Sequence, residues 1–271
     1  MADSHLEHYG PWAVIAGGSE GIGLCFARQL AAAGINLLLL ARRAEPLAQT
    51  REQLLAAYEV EVRTRQVDLT AVDLEQQLLS SIDGLEIGLL IYNACAMHGV
   101  GLFLDEPLYK AQKLVSLNCN GPLIFSHHLG NAMRNRGRGG IILLSSLSGL
   151  TGGAYVATYA ATKAFDIVLA ESLWAELAPH GVHVLGLIAG ATDTPAIAAT
   201  GVDFEEGQAM DAATVAREGL QQLPHGPLHV AGDGNRMAAS MLRGDNRRQS
   251  IAMMSAGAAG LYDLPVPEIP T

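Results

Sequence analysis

Near the N-terminus a short apolar run, a glycine-rich turn and an amphipathic helix follow one another without a gap. They are AVIA (Ala13 to Ala16), GGSEGIG (Gly17 to Gly23) and LCFARQLAAAG, ending at Gly34. The order reads strand, turn, helix. A strand that is apolar at every position has to be covered on both faces, as strands of parallel sheets are. Similar runs recur as LLLL within Ile35 to Ala41, as GLLIY and as IILL, with helical patterns between them through residue 200. Strands alternating with helices build a doubly wound sheet. The expectation is a single α/β domain over residues 1–271. Its parallel sheet has about seven strands, with helices on both faces. With 49% hydrophobic residues the chain can bury one substantial core, and 30 glycines beside 5% aromatics suit close packing of helices on a sheet.

The glycine turn carries a chemical implication. Gly17, Gly21 and Gly23 permit backbone conformations closed to other residues and let the main chain approach a phosphate. The helix N-terminus behind them offers unpaired N–H groups and partial positive charge. The next strand ends at Ala41 and is followed at once by Arg42 and Arg43. An acidic residue at that point would bond ribose hydroxyls, whereas arginine suits a 2′-phosphate, so NADP(H) is favoured over NAD(H). Glu20 in the turn is an electrostatic objection to this preference.

The segment SLSGLTGGAYVATYAATK supplies a candidate reaction centre. Tyr159 and Lys163 are four residues apart, and Ser146 lies thirteen upstream of the tyrosine. Positions i and i+4 share a helix face, so the lysine ammonium approaches the phenol. A fixed positive charge stabilises the phenolate and is expected to move the tyrosine toward neutrality, ready to exchange a proton with a substrate oxygen. Ser145 competes with Ser146, and adjacent strand residues face opposite ways, so only one of them points into the site, with Ser148 a third candidate. A packed tyrosine and a solvated lysine would look the same in isolation, so the phosphate-binding turn is what gives the pair meaning.

In combination these motifs resemble a short-chain dehydrogenase/reductase of the smaller type, from about Trp12 to Thr194. The family's TGxxxGxG appears as AGGSEGIG from Ala16, its Asp-Leu pair as Asp68 and Leu69, and its NNAG strand end as YNAC. Its helix asparagine falls at Asn118, its YxxxK at Tyr159 and Lys163, and its PG-plus-threonine segment is IAGATDT. Ser146 is favoured over Ser145 because its spacing to Tyr159 and to Gly149 resembles that of the family's serine. The resemblance implies a Rossmann-type fold. It also implies a cofactor site of Gly17, Ser19, Glu20, Gly21, Ile22, Gly23, Arg42, Arg43, Asp68, Leu69, Asn93, Ala94, Cys95, Tyr159, Lys163, Gly190, Thr192 and Thr194. Catalysis would rest on Asn118, Ser146, Tyr159 and Lys163. Hydride would pass from the nicotinamide to a carbonyl carbon while Tyr159 protonates the oxygen and Ser146 orients it. Lys163 would assist the tyrosine and bond the ribose, and Asn118 would hold a water leading to solvent. The departures are Ala16 for threonine, Tyr92 for the first asparagine, Cys95 for glycine and Ala189 for proline; none removes a proton-transfer group.

Substrate class is less legible. GPWAVIAGGSEGIG and GLEIGLLIYNA resemble the 17β-hydroxysteroid dehydrogenase and 3-ketoacyl-CoA reductase branch. This implies a lipophilic ketone or its alcohol, with Met97, Leu147, Leu150, Tyr155 and Ile197 as candidate walls. The alternative from another class is a non-catalytic dinucleotide-binding scaffold, whose mark would be a lost Ser, Tyr or Lys. Residues 195–215 occupy the place of a substrate-binding loop, Asp211 to Leu223 reads as a helix with an Asp cap, and PLHVAG as the last strand. Residues 233–271 form an extension in which Met237, Met241, Met253 and Met254 suit an adaptable pocket or subunit contact, core packing being the ordinary use. The apolar faces of AFDIVLAESLWAEL suit packing against a second subunit, and the family resemblance implies a homo-dimer or homo-tetramer.

A net charge of −10 disfavours nucleic acid. Cys25, Cys95 and Cys119 form no disulfide framework, and the opening MADSHLEHYGPW lacks a leader pattern, so a cytoplasmic protein without a membrane anchor is expected. His127 and His128 point apart on a helix, and His5 with His8 and His180 with His183 lack a third ligand, so no metal is expected. His98 overlooks the expected substrate mouth, although a surface histidine explains it equally.

Overall fold

The computed structural model describes residues 4–96, 101–202, 204 and 208–268. The first strand is β1 (Trp12–Ala16), followed by α1 (Gly21–Ala32), β2 (Asn36–Ala41), α2 (Ala44–Ala57), β3 (Val62–Gln66), α3 (Leu74–Ile82) and β4 (Ile87–Tyr92). The second half holds α4 (Leu108–Val115), α5 (Gly121–Arg136), β5 (Gly139–Ser146), α6 (Ala157–Leu177) and β6 (Val182–Ala189). Next come β7 (Thr192–Asp193), α7 (Pro195–Ala198), β8 (Met210–Asp211), α8 (Ala212–Gln222), β9 (Leu228–Val230), α9 (Asp233–Leu242) and α10 (Arg247–Leu261). Seven strands pair in parallel in the order β3-β2-β1-β4-β5-β6-β9, and β7 with β8 forms a separate small ladder.

Alternation along buried strands divides the core into two layers. Ala13 and Ile15 of β1, with Leu37 and Leu39 of β2, meet Phe26 and Leu30 of α1, Leu54 of α2 and Val215 and Leu220 of α8. Val14, Leu38 and Leu90 face the other way, onto Leu74 and Leu78 of α3, Phe125 and Leu129 of α5 and Ala170 of α6. The edge strand β3 reads VRTRQ and is largely uncovered, its charges blunting the free edge.

The order reverses beside β1, where β2 lies on one side and β4 on the other. At such a switch point the chain leaves neighbouring strands in opposite directions and opens a crevice at their carboxyl ends, where ligands bind in open α/β sheets.

The expected cap of α8 is observed, the Asp211 side chain accepting from Thr214 N–H at 2.9 Å. Sequence reading left the extension after residue 233 without elements; it forms α9 and α10. Met237 and Met241 are exposed and Met253 borders on it, so they do not pack into the core of this chain. Met254 instead lies against Gly153. No helix among the described residues is long and apolar enough to cross a membrane.

Candidate active site

The glycine turn sits at the carboxyl end of β1, inside the crevice. Gly17 and Gly21 have φ of +81° and +53°, a region open to glycine. A methyl group on Gly17 would come within 2.9 Å of the Ala94 backbone, and one on Gly23 would overlap the Gly17 carbonyl. In place of the threonine hydroxyl absent at Ala16, two bonds hold the turn: Gly17 N–H donates to Leu40 O at 2.7 Å, and Asn93 Nδ2 donates to Gly17 O at 2.9 Å. Glu20 caps α1 in extended backbone without a side-chain cap bond. The first amides of α1 therefore lack a side-chain acceptor, as a phosphate site requires. Ile22 belongs to the core, leaving only its backbone for a ligand, and Ser19 is buried with its carbonyl bonded by Thr50 Oγ1 at 2.9 Å.

Glu20 forms an ion pair with Arg43. The expected objection from Glu20 is thereby offset, and Arg43 is drawn aside, leaving Arg42 as the freer guanidinium beside β2. Asp68 lies farther along the crevice. Its carboxyl is held below the usual range by bonds from Thr70 Oγ1 and N–H, at 2.7 and 2.9 Å, with Lys113 and Arg42 contributing more weakly. Leu69 is buried beside it. Gly190 follows β6 against Asn235, and Thr192 Oγ1 donates to the Gly190 carbonyl at 3.1 Å. Thr194 caps α7 and turns its methyl toward Gly21. The turn, Arg42, Asp68, Asn93, Ala94, Gly190 and Thr194 thus border one crevice, and their geometry fits a dinucleotide phosphate and adenosine.

The reacting groups gather at the ends of β4 and β5. Ser145 is buried, its hydroxyl donating to the Lys163 carbonyl at 2.7 Å, while Ser146 is turned to the site and lies within hydrogen-bonding reach of Tyr159. Tyr159 and Lys163 share the first turns of α6. Asn118 sits in a π-helical turn, Ser116–Asn120, a deviation that often marks functional positions. Its Nδ2 donates to Thr162 Oγ1 at 3.0 Å, and its Oδ1 is buried with no partner. Tyr92 tethers this turn, donating to Leu117 O at 2.7 Å, while Gly121 leaves room for the phenol. Cys95 keeps exposed surface, yet its thiol reaches Tyr159 and Lys163, and desolvation pushes it above the ordinary thiol range.

One expectation is overturned. Tyr159 is not moved toward neutrality but raised, because burial outweighs the ammonium of Lys163. The lysine is buried and donates to Leu144 O at 2.7 Å and to Asp166 Oδ2 at 3.0 Å. Sequence reading missed Asp166, which lies inside the apolar run AFDIVL; a lone carboxylate one turn after Lys163 was the available signal. Lys163 itself is raised: burial lowers it, but the groups around it, Asp166 first, more than offset that.

A cavity of about 230 Å³ opens beside Tyr159, lined by Phe103, Leu104, Leu108, Leu114, Tyr155 and Val156 among others. Of the expected wall residues, Tyr155 lines it. Leu147 and Leu150 lie in the adjoining 3-10 turn and Ile197 on α7, outside its lining, and Met97, like His98, falls outside the described residues. The apolar contribution of α4 and residues 101–107 was not anticipated, although GLFLDEPLY carries a visible apolar run. Among the described residues no group of three or more His, Cys, Asp or Glu is arranged for a metal.

The family profile for short chain dehydrogenases matches residues 11–203. The chain belongs to that family. Among its short-chain dehydrogenase relatives, a 7β-hydroxysteroid dehydrogenase of Clostridium sardiniense is 31% identical over 241 residues, covering 85% of this chain and 88% of that protein. A very-long-chain 3-oxoacyl-CoA reductase of Aspergillus clavatus is 36% identical over 185 residues, 66% of this chain but 54% of that protein. A structure solved in work on 7β-hydroxysteroid dehydrogenase stereoselectivity superposes with a TM-score of 0.86 at 26% identity, covering 92% of this chain and 98% of the other. A short-chain dehydrogenase from Sphingobium yanoikuyae in complex with NADPH gives 0.75 at 27% identity, over 82% and 87% of the two chains.

Proposed function

We propose that this short-chain dehydrogenase is an NADP(H)-dependent reductase of a lipophilic ketone, catalysing the alcohol oxidation in reverse. The observation that carries the reading is the half-buried Tyr159 phenol at one end of an apolar cavity, beside Ser146 and Lys163, with desolvation holding it above the ordinary tyrosine value. A phenol kept neutral is the acid that carbonyl reduction needs. NADP(H), when bound, supplies the hydride. Ser146 orients the substrate oxygen, and Tyr159 passes its hydroxyl proton to it. The orphaned Asn118 Oδ1 is an acceptor for a water that links the site to solvent.

Arg42 beside β2, with no carboxylate at the strand end, supports the 2′-phosphate preference, as does the NADPH complex of the Sphingobium relative. The hydroxysteroid and oxoacyl names of the relatives agree with the apolar lining. The assignment of 195–215 as the substrate loop rests on its place after β6; Ile197, Leu147 and Leu150 lie outside the cavity lining. Val115, Leu123, Val168 and Trp174 leave apolar surface exposed on α4, α5 and α6, which supports a homo-oligomer.

A panel of 7-ketosteroids, 3-oxoacyl thioesters and aryl ketones, followed by NADPH consumption, tests the reading. Y159F should lose roughly two to four orders of magnitude in turnover while NADPH binding, read by fluorescence, persists. Turnover that survives in Y159F sinks the proton-donor role.

A further inference from the structure

Lys163 and Asp166 stand one turn apart on the same face of α6, and their side chains are only 4% and 3% exposed. Removing an ammonium from water disfavours its charge unless a counter-charge accompanies it. The groups facing the pair come from three further elements. Tyr92 projects from β4, Cys119 from the π-helical turn and Cys95 from the segment after β4, while Tyr159 shares α6. Tyr92 and Cys119 are both raised by desolvation, Cys119 to about 11, so neither is an anion near neutral pH. Among the described residues that act on Lys163, Asp166 is the partner with a carboxylate; burial raises it and the ammonium pulls it down, and the direct ion pair at 3.0 Å is what favours the two charges together. Two of the three ammonium protons are taken, one by Asp166 Oδ2 and one by the Leu144 carbonyl. The remaining proton is directed by those two bonds, with Tyr159 and Cys95 nearby.

We propose that Asp166 is a positioning residue: its carboxylate anchors the buried Lys163 ammonium, keeping it charged and aimed at the reaction centre. The carboxylate acts through the lysine and touches neither substrate nor cofactor. The consequence for catalysis rests on the reading of Tyr159 and Lys163 as the proton-transfer pair; the charge state of Lys163 does not.

The chain contains three lysines, Lys110, Lys113 and Lys163. Protein labelled with 15N-lysine therefore gives three side-chain signals, assignable with K110Q and K113Q. In the wild type the Lys163 ammonium should exchange slowly with water and stay protonated to the alkaline end of the stable range, unlike the other two. In D166N, which keeps the shape and loses the charge, the Lys163 midpoint should fall by about one pH unit or more, a tenfold change in proton affinity. D166E should restore most of it. With a ketone that is turned over, the alkaline limb of kcat should shift downward in D166N in parallel and recover in D166E. A wild-type Lys163 exchanging as fast as Lys110, or an unchanged midpoint in D166N, overturns the proposal. The wild-type exchange rate needs no variant, so fast exchange at Lys163 overturns the proposal even where D166N does not fold, and D166E then carries the comparison of midpoints. Absence of turnover with every ketone, alongside a slowly exchanging Lys163, would count against the proposed function and leave the pair standing.

Discussion

Gly149 offers the sharpest perturbation, because it touches Lys163 through backbone alone. It lies in the 3-10 turn after Ser146, and a methyl group there would sit 2.6 Å from the Lys163 carbonyl carbon, 2.7 Å from its oxygen and 2.9 Å from the Ala164 nitrogen. Ordinary contacts begin at 3.4 Å, so the turn and α6 would have to separate by several tenths of an ångström. No flexible side chain is available to yield, and the Lys163 carbonyl is already held by the Ser145 hydroxyl at 2.7 Å. Overpacking of this kind costs about 1–3 kcal/mol, at about 2–4 °C of Tm per kcal/mol for a domain near this size. The same displacement moves Ser146 away from Lys163 and Tyr159, and misplacement approaching 1 Å costs up to about a hundredfold in rate. Gly152, three residues on, would meet nothing within 4 Å. Urea unfolding and ketone turnover measured on G149A and G152A should therefore diverge, with G152A close to wild type and G149A impaired in both. If the two variants behave alike, the close approach of turn and helix is not what holds the site.

The remaining predictions concern the cofactor, the acid range and a helix end. R42A should weaken NADPH on the order of tenfold, with NADH little affected, as expected for loss of one exposed charge-assisted contact. R43A should cost less, since Arg43 is engaged by Glu20, and fluorescence titrations compare the two. His183 is held below the ordinary histidine value by burial, then by His8 and His225, and its Nδ1 lies 2.8 Å from the Tyr9 hydroxyl. The unfolded chain takes up that proton first, so stability is full above the unfolded value and declines as pH falls from there toward the lower folded one. Urea midpoints should drop between roughly pH 7 and pH 5 and drop less in H183Q; an equal slope in both would remove His183 as the cause. D211A should lose about 1 kcal/mol with its cap of α8, read by the same unfolding curves.

The architecture was legible because its signals are local. Continuous apolarity in LLLL and IILL states that a strand is covered on both faces, and the glycines of the turn declare a backbone that side chains forbid. Asp211 was readable as a cap from its position alone. Strand alternation said that only one of Ser145 and Ser146 faces the site, and the family resemblance favoured Ser146; the structure turns the two hydroxyls to opposite sides, one within reach of Tyr159 and one to the α6 backbone. The wall of the cavity was harder. It draws on Phe103, Leu104 and Leu108, distant in sequence from Tyr159, and nothing in their own pattern says which surface they will face.

The C-terminal extension shows the same limit. Ala258 packs on Val156, Ala160 and Tyr159, and Ser255 Oγ accepts from Ala154 N–H at 2.9 Å. Arg247 donates to the Leu150 carbonyl at 3.0 Å, and the Tyr155 hydroxyl donates to the Pro265 carbonyl at 2.7 Å, holding a tyrosine whose φ is +68°. Residues about a hundred positions downstream thus brace the segment between Ser146 and Tyr159, which periodicity could not reveal.

By itself the sequence determined the sheet and the glycine turn, and marked Ser146, Tyr159 and Lys163 as candidates, since each depends on neighbours within one or two turns of chain. Tertiary structure alone decided the protonation of that centre. Desolvation and charge pairing depend on what surrounds a group in space. An ammonium expected to lower Tyr159 proved to be buried against Asp166, and desolvation raises the tyrosine in spite of it.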